Sequence, residues 1–284
     1  MCEAAGGVMS GHEHLAQALA ECGRDGYTGE LRVHGTPGGT FHFGDGRVVA
    51  VETPGAPGPE ALLLRSGRVS GEQWAELVRE SGGSRWPATA LIAHGYAGAA
   101  QLRVVCALAL HDAAFAMAAG RVDGCERVAS AELFAQVPLG EPPLRLLQDA
   151  TRRLSALAGL PHPVHPDRER PVPTGTGPGS TALQRELLTH ADGRCTARDL
   201  AFRVGRGVYT VTVEVARMLD EGLLVCTAAP VPLPVRTLPD GHALQPRKPS
   251  QAEPPPPPAY GDLPRRKPGS FFRLRNGTAN GTAK

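Results

Sequence analysis

Few residues in this chain have the chemistry to act on anything outside it. His12, Glu13 and His14 stand together at the start of a helical pattern, and a His-Glu-His set can ligate a transition metal. Histidines at i and i+2 leave a helix on different faces, and no Cys/His cluster follows, so no metal site and no cofactor is expected. His42 and Asp45 lie close in one hairpin, as an acid–base pair would. His42 alternates with Phe41 and Phe43, which places it on the opposite face, toward solvent. No Ser-His-Asp, Cys-His or paired-carboxylate arrangement stands out. The stretch "TGTGPGS" (174–180) has the glycines of a phosphate loop but lacks the Gly-Lys-Ser/Thr ending. Catalysis is not expected.

A different chemistry fits residues 181–228. Leu183, Leu187 and Leu188 mark one helix, Thr196 caps a second carrying Leu200 and Val204, and Gly205 and Gly207 turn the chain into a third. "VYTVTVEV" alternates like a strand, but Val208, Val211, Val215, Met218 and Leu219 sit at helical spacing, and that spacing predicts a helix to Leu219. The strand-like "GLLVC" then starts a wing. In such an order the third helix reads base edges and flanking basic groups hold phosphates. The candidate DNA-contacting residues are Arg194, Arg198, Arg203, Arg206, Tyr209, Thr210, Thr212 and Arg217. Against this, residues 181–228 carry six basic and six acidic side chains, and a neutral module releases few counterions. If the fold gathers the arginines on the third helix, DNA binding follows. If it spreads them among Asp192, Asp199, Glu214 and Asp220, a protein-contact role follows.

The elements around these residues read as an α+β chain. A helix with Leu15, Ala18, Leu19 and Cys22 on one face leads into a three-stranded meander over "YTGELRV", "TFHF" and "RVVAVE". The segments 61–78 and 89–108 echo each other at an offset of 28, each a helix, a glycine break (Gly67, Gly95) and a second helix. Ser70 with Gln73 reads as a capping box. Trp74 and Trp86 are placed in packing. The stretch 113–128 reads as another hairpin or a helix end, which periodicity does not decide, and 141–160 is an amphipathic helix. Residues 161–180 read as a Pro/Gly linker and 231–284 as a disordered Pro-rich tail, with prolines at 254–258 and the basic-aromatic run "PRRKPGSFFRLR" at 264–275. The net charge of +2 is uneven, since residues 229–284 hold nine basic and three acidic groups. The six cysteines form no C-x-x-C pair, and no stretch reads as a membrane span or signal peptide, so a cytoplasmic location is expected.

From "YTGELRV" through "GTFHFGDGRVVAVE", the helical units broken at Gly67 and Gly95, and the closing "PLRLLQDATRRLSAL", the chain resembles the PATAN domain family. That resemblance implies a non-catalytic signalling module, with residues 12–160 as the surface for a protein partner. "ADGRCTARDLAFRVG…VARMLDEGLL" resembles the winged helix-turn-helix of bacterial regulators. The organisation expected is a disordered N-terminus (1–11), an interaction domain (12–160), a linker (161–180), a winged helix (181–230) and a disordered tail (231–284). The function expected is transcriptional regulation by DNA binding, with a signalling adaptor that does not touch DNA as the alternative. Operator, signal and oligomeric state are left open.

Overall fold

Ser10 opens the first helix, α1 (Gly11–Arg24), by accepting the Glu13 amide while Glu13 reaches back to the Ser10 amide. Glu13 is therefore occupied in a capping box, between the exposed His12 and His14. The computed structural model describes residues 10–84, 86–129, 140–175, 177 and 181–227. The expectations of disorder for residues 1–9 and the 231–284 tail, with its basic-aromatic run, lie outside the described residues.

The protein is a mixed α+β chain around an antiparallel sheet. Strands β1 (Gly29–Thr36), β2 (Gly39–Gly44) and β3 (Arg47–Glu52) form the expected meander. Asp45 and Gly46, both at positive φ, make the tight turn between β2 and β3. A fourth strand, β4 (Arg121–Val128), pairs antiparallel with β1, giving the order β3-β2-β1-β4. The sequence reading stopped at three strands because β4 buries no residue fully and so shows no apolar alternation. Leu31, Val33, Phe41, Phe43 and Val48 face a core completed by Leu15 and Leu19 of α1, by Leu146 and Ala150 of α6 (Pro143–Ala158), and by the second half of α5 (Ala99–Ala119).

His42 departs from expectation. It is opposite Phe41 and Phe43, as alternation requires, yet it is only 4% exposed, with Nε2 3.0 Å from Glu52 Oε2. Alternation tells which face a side chain takes, and not whether that face is covered. Asp45, the partner considered for it, lies in the turn, where its amide bonds Thr28 Oγ1.

The internal echo is real in structure. α2 (Pro59–Arg65) and α3 (Gly71–Glu80) form one helical pair, α4 (Ala88–Ala93) and α5 the other. Gly67 and Gly95 break the pairs at φ 72° and 71°. Ser70 and Gln73 make the expected capping box. Leu63, Trp74, Leu77, Leu91 and Leu102 build a second, smaller core between the pairs, with Trp86 packed tilted on Trp74 at 5.9 Å.

Helix α5 joins the two cores, with Leu102 in the small one and Leu110 to Met117 in the large one. It has 21 residues, and its most apolar window has a mean hydropathy of 1.6, long and apolar enough by length and composition to cross a membrane, contrary to the sequence reading that no stretch was. Over half of its most apolar window is buried inside the protein, as expected for a helix apolar all round at the centre of a fold.

The segment read as a linker is also built in. Residues Arg170–Pro173 form β5, which pairs antiparallel with β6 (Leu224–Thr227). The Arg198 amide bonds Pro166 O, and His165 Nε2 bonds Ala119 O. Between the two strands lie α7 (Ala182–His190), α8 (Ala197–Val204) and α9 (Val208–Asp220). Their core residues Leu187, Leu200, Val208, Val211, Val215 and Met218 are continuous with the sheet core. Proline content made 161–180 look free. Prolines are, however, admissible in an edge pairing, which is where Pro171 and Pro173 stand.

Candidate functional site: the docked α9 helix

The sequence element with most functional promise was the third helix, and α9 is a helix, as its valine spacing required. Val208, Val211, Val215 and Met218 are fully buried, which overrides the β preference of "VYTVTVEV". The turn before it is built by two glycines. Gly205 ends α8 at φ 64°, and a β-carbon there would overlap Arg65 Cβ of α2. Gly207 lies against the Asp112 carboxylate of α5, 3.2 Å from where a β-carbon would be.

Asp112 is the centre of the arrangement. Gly207 is the N-cap of α9 and has no side chain to satisfy the first helical amides. Asp112 supplies that acceptor from 96 residues away: Oδ2 takes the Val208 amide at 2.6 Å and Oδ1 the Tyr209 amide at 3.0 Å. An anion at a helix N-terminus is favoured by the helix dipole as well as by these bonds. Burial works against the charge and is the largest influence, so the carboxyl sits above its ordinary value; the Tyr209 and Val208 amides and the Arg153 guanidinium pull it back down.

Aromatic and basic groups surround this contact. The Tyr209 ring meets Phe115 edge-on at 5.3 Å, and the Arg153 guanidinium lies 5.2 Å above it. Such contacts contribute about 0.5–1.5 and 0.5–1 kcal/mol respectively. Arg153 is held in turn by Asp149 at 3.0 Å, which also meets His111 and Arg152. The start of α9 is thus fixed from α5 and α6 together.

The eight residues expected at DNA are placed as follows. Thr212 is fully buried and its hydroxyl donates to Val208 O, so it reaches no base. Tyr209 is part-buried, its ring packed against Phe115 and Arg153. Arg198 pairs with Asp167 at 3.1 Å, Arg203 with Asp192 at 3.8 Å and Arg217 with Glu214 at 3.6 Å. Arg194, Arg206 and Thr210 are exposed. The arginines are therefore spread, three of them among acids, and not gathered at the start of α9. Asp192 is itself held down to about 2 by the Arg194 amide first, then by Cys195, with Arg203 a smaller influence.

β6 differs from the wing that was expected. Its partner among the described residues is β5, upstream of α7, and not a following strand. Asp112 was missed in the sequence although it left a signal: a lone carboxylate in the apolar run "CALALHDAAFAMAA" needs a buried partner. Among the described residues no three His, Cys, Asp or Glu side chains gather as a metal would require. Comparison with protein-family models, with curated proteins and with solved structures gives no match.

Proposed function

We propose that this protein is a non-catalytic signalling adaptor, in which a winged-helix-like module of three helices serves protein contact and does not read DNA. On this reading residues 12–160 are a PATAN-like surface for a protein partner, and the chain works in the cytoplasm without a cofactor. The observation that carries the proposal is the Asp112 contact. A helix-turn-helix reader inserts the N-terminal residues of its second helix into the major groove, and here those residues are spent on α5. The paired arginines add to it, because each would have to give up an acid to take a phosphate.

A second reading, transcriptional regulation by DNA binding, is favoured by one observation. Arg206, in the turn before α9, and Thr210 and Arg217, seven residues apart on one face of α9, are all exposed. Binding of pooled genomic fragments separates the two, measured at low and moderate salt for the full chain, a chain lacking 240–284, and Arg206→Ala. The adaptor reading expects weak binding without sequence preference, most of it lost with the basic tail. Sequence-selective binding that survives tail removal, and that Arg206→Ala weakens while lowering the salt slope by about one unit, would establish the DNA reading.

A further inference from the structure

A cleft of about 560 Å³ opens between β3, α2 and α5, within the range of about 300–1,000 Å³ that small-molecule sites occupy. It is lined from both cores, with Leu110 belonging to the sheet core and Leu64 packed on the smaller one. Three elements place alanines on its wall: Ala50 on β3, Ala61 on α2, and Ala109 and Ala113 on α5. A leucine at any of these positions would fill part of the space from within the chain. With alanine there, apolar surface is left that an apolar body from outside can cover.

The polar side chains of the wall are poor recognition groups. Glu52 is engaged within the chain, with His42 Nε2 3.0 Å from its Oε2. The Thr53 hydroxyl donates to Gly38 O and accepts the Gly55 amide. Burial pushes the Cys106 thiol up to about 11, so it is neutral at physiological pH. Glu60, in the first turn of α2, adds a second negative charge, and no Arg, Lys or His is among the described lining residues. An anion entering the cleft would meet two carboxylates and no cation. An ammonium would exchange its hydration for a wall that is mostly apolar, with one of its two carboxylates already held by His42.

We propose that this cleft binds a small neutral apolar molecule, of about the size of a fused two-ring compound. The body lies against Ala109, Leu110 and Leu64 and so joins the edges of the two cores through one ligand. Selection comes from shape and from the acidic wall, which turns anions away, and needs no hydrogen bond from Glu52. This goes beyond the adaptor reading and does not depend on it, since it concerns neither DNA nor a protein partner.

The test is calorimetric titration of the full chain with three probes of one shape: 2-naphthylmethanol, 2-naphthoate and 2-naphthylmethylamine. The alcohol should bind and raise the melting temperature of the chain, as any ligand of the folded state does. The carboxylate should bind at least about tenfold more weakly, and the ammonium no more tightly than the alcohol. Two variants fill the cleft from different sides, Ala61→Phe from a partly exposed position on α2 and Ala109→Leu from α5; each should abolish binding of the alcohol. Melts without ligand establish which variants are folded. The proposal is overturned if the alcohol does not bind, if the carboxylate equals it, if the ammonium exceeds it, or if a folded filled variant binds it as the parent does. It is also overturned if sedimentation shows the parent self-associating and Ala61→Phe monomeric, since a second copy then fills the cleft.

Discussion

Asp112 is the residue on which the position of α9 turns. Asp112→Ala leaves the Val208 and Tyr209 amides buried without an acceptor, and such donors cost about 1–3 kcal/mol. Asp112→Asn retains one carbonyl oxygen and should lose less, about 1 kcal/mol, as for an impaired N-cap. Denaturant unfolding at neutral pH measures both, and equal stability of parent and Asp112→Ala would mean that the contact holds nothing. The pH dependence has a fixed sign. Because the folded carboxyl lies above its ordinary value of 3.8, mainly through burial, the folded chain keeps this proton longer than the unfolded one. Stability from this group is then greatest below that ordinary value and falls as pH rises through the folded value. Melting temperatures of parent minus Asp112→Asn should decline across that window and level off above it; a rise would show that the amides and Arg153 outweigh burial. Single residues were the least legible part of the sequence. Tyr209 and Thr212 were sound choices for an exposed helix start, but whether that start is exposed depends on a residue 96 positions earlier. His42 failed in the same way, since strand periodicity carries no record of what lies over a face.

Secondary-structure elements were read best where a face is wholly buried or a cap is spelled out. α9 declared itself through its valines, and α3 through Ser70 and Gln73. β4 and β5 did not: the first exposes too much of itself, and the second is half proline and takes its pairing from a strand fifty residues on. The glycines that punctuate these elements make a graded prediction. Gly67 and Gly95 have positive φ and open space where a β-carbon would be. Alanine at either should cost about 1–2 kcal/mol, the price of the left-handed conformation alone. Gly205 shares that conformation and also abuts Arg65 of α2. Gly205→Ala should therefore destabilise more than either of the others, because α8 must also shift away from α2. Thermal melts in which Gly205→Ala is the mildest of the three would show that the turn is not pressed against α2.

At the scale of the whole molecule, the two regions separated by proline-rich sequence share one core from Leu15 to Leu224. Unfolding of the chain should therefore be a single transition over residues 10–227. A fragment ending at residue 160 would bare the side of α5 that carries Asp112 and Phe115, and it should melt well below the parent. Two resolved transitions, or a fragment 11–160 as stable as the intact chain, would show that the halves stand alone. The sequence made the α+β class, the meander and the order of the helices readable, because those follow from local periodicity. It hid the joining of the halves, which rests on a carboxylate, two glycines and a proline-bearing strand that are individually unremarkable. The pairing of β5 with β6 has a further consequence for the order of events at the ribosome. β5 leaves the exit tunnel with no neighbour to pair with, and its partner is translated only after α7, α8 and α9. At about 5–20 residues per second this wait is on the order of seconds, and Asp112 waits longer still for the amides of α9. The nascent body thus carries an open strand and a bare buried acid until α9 covers the acid and β6, made directly after it, pairs with the strand.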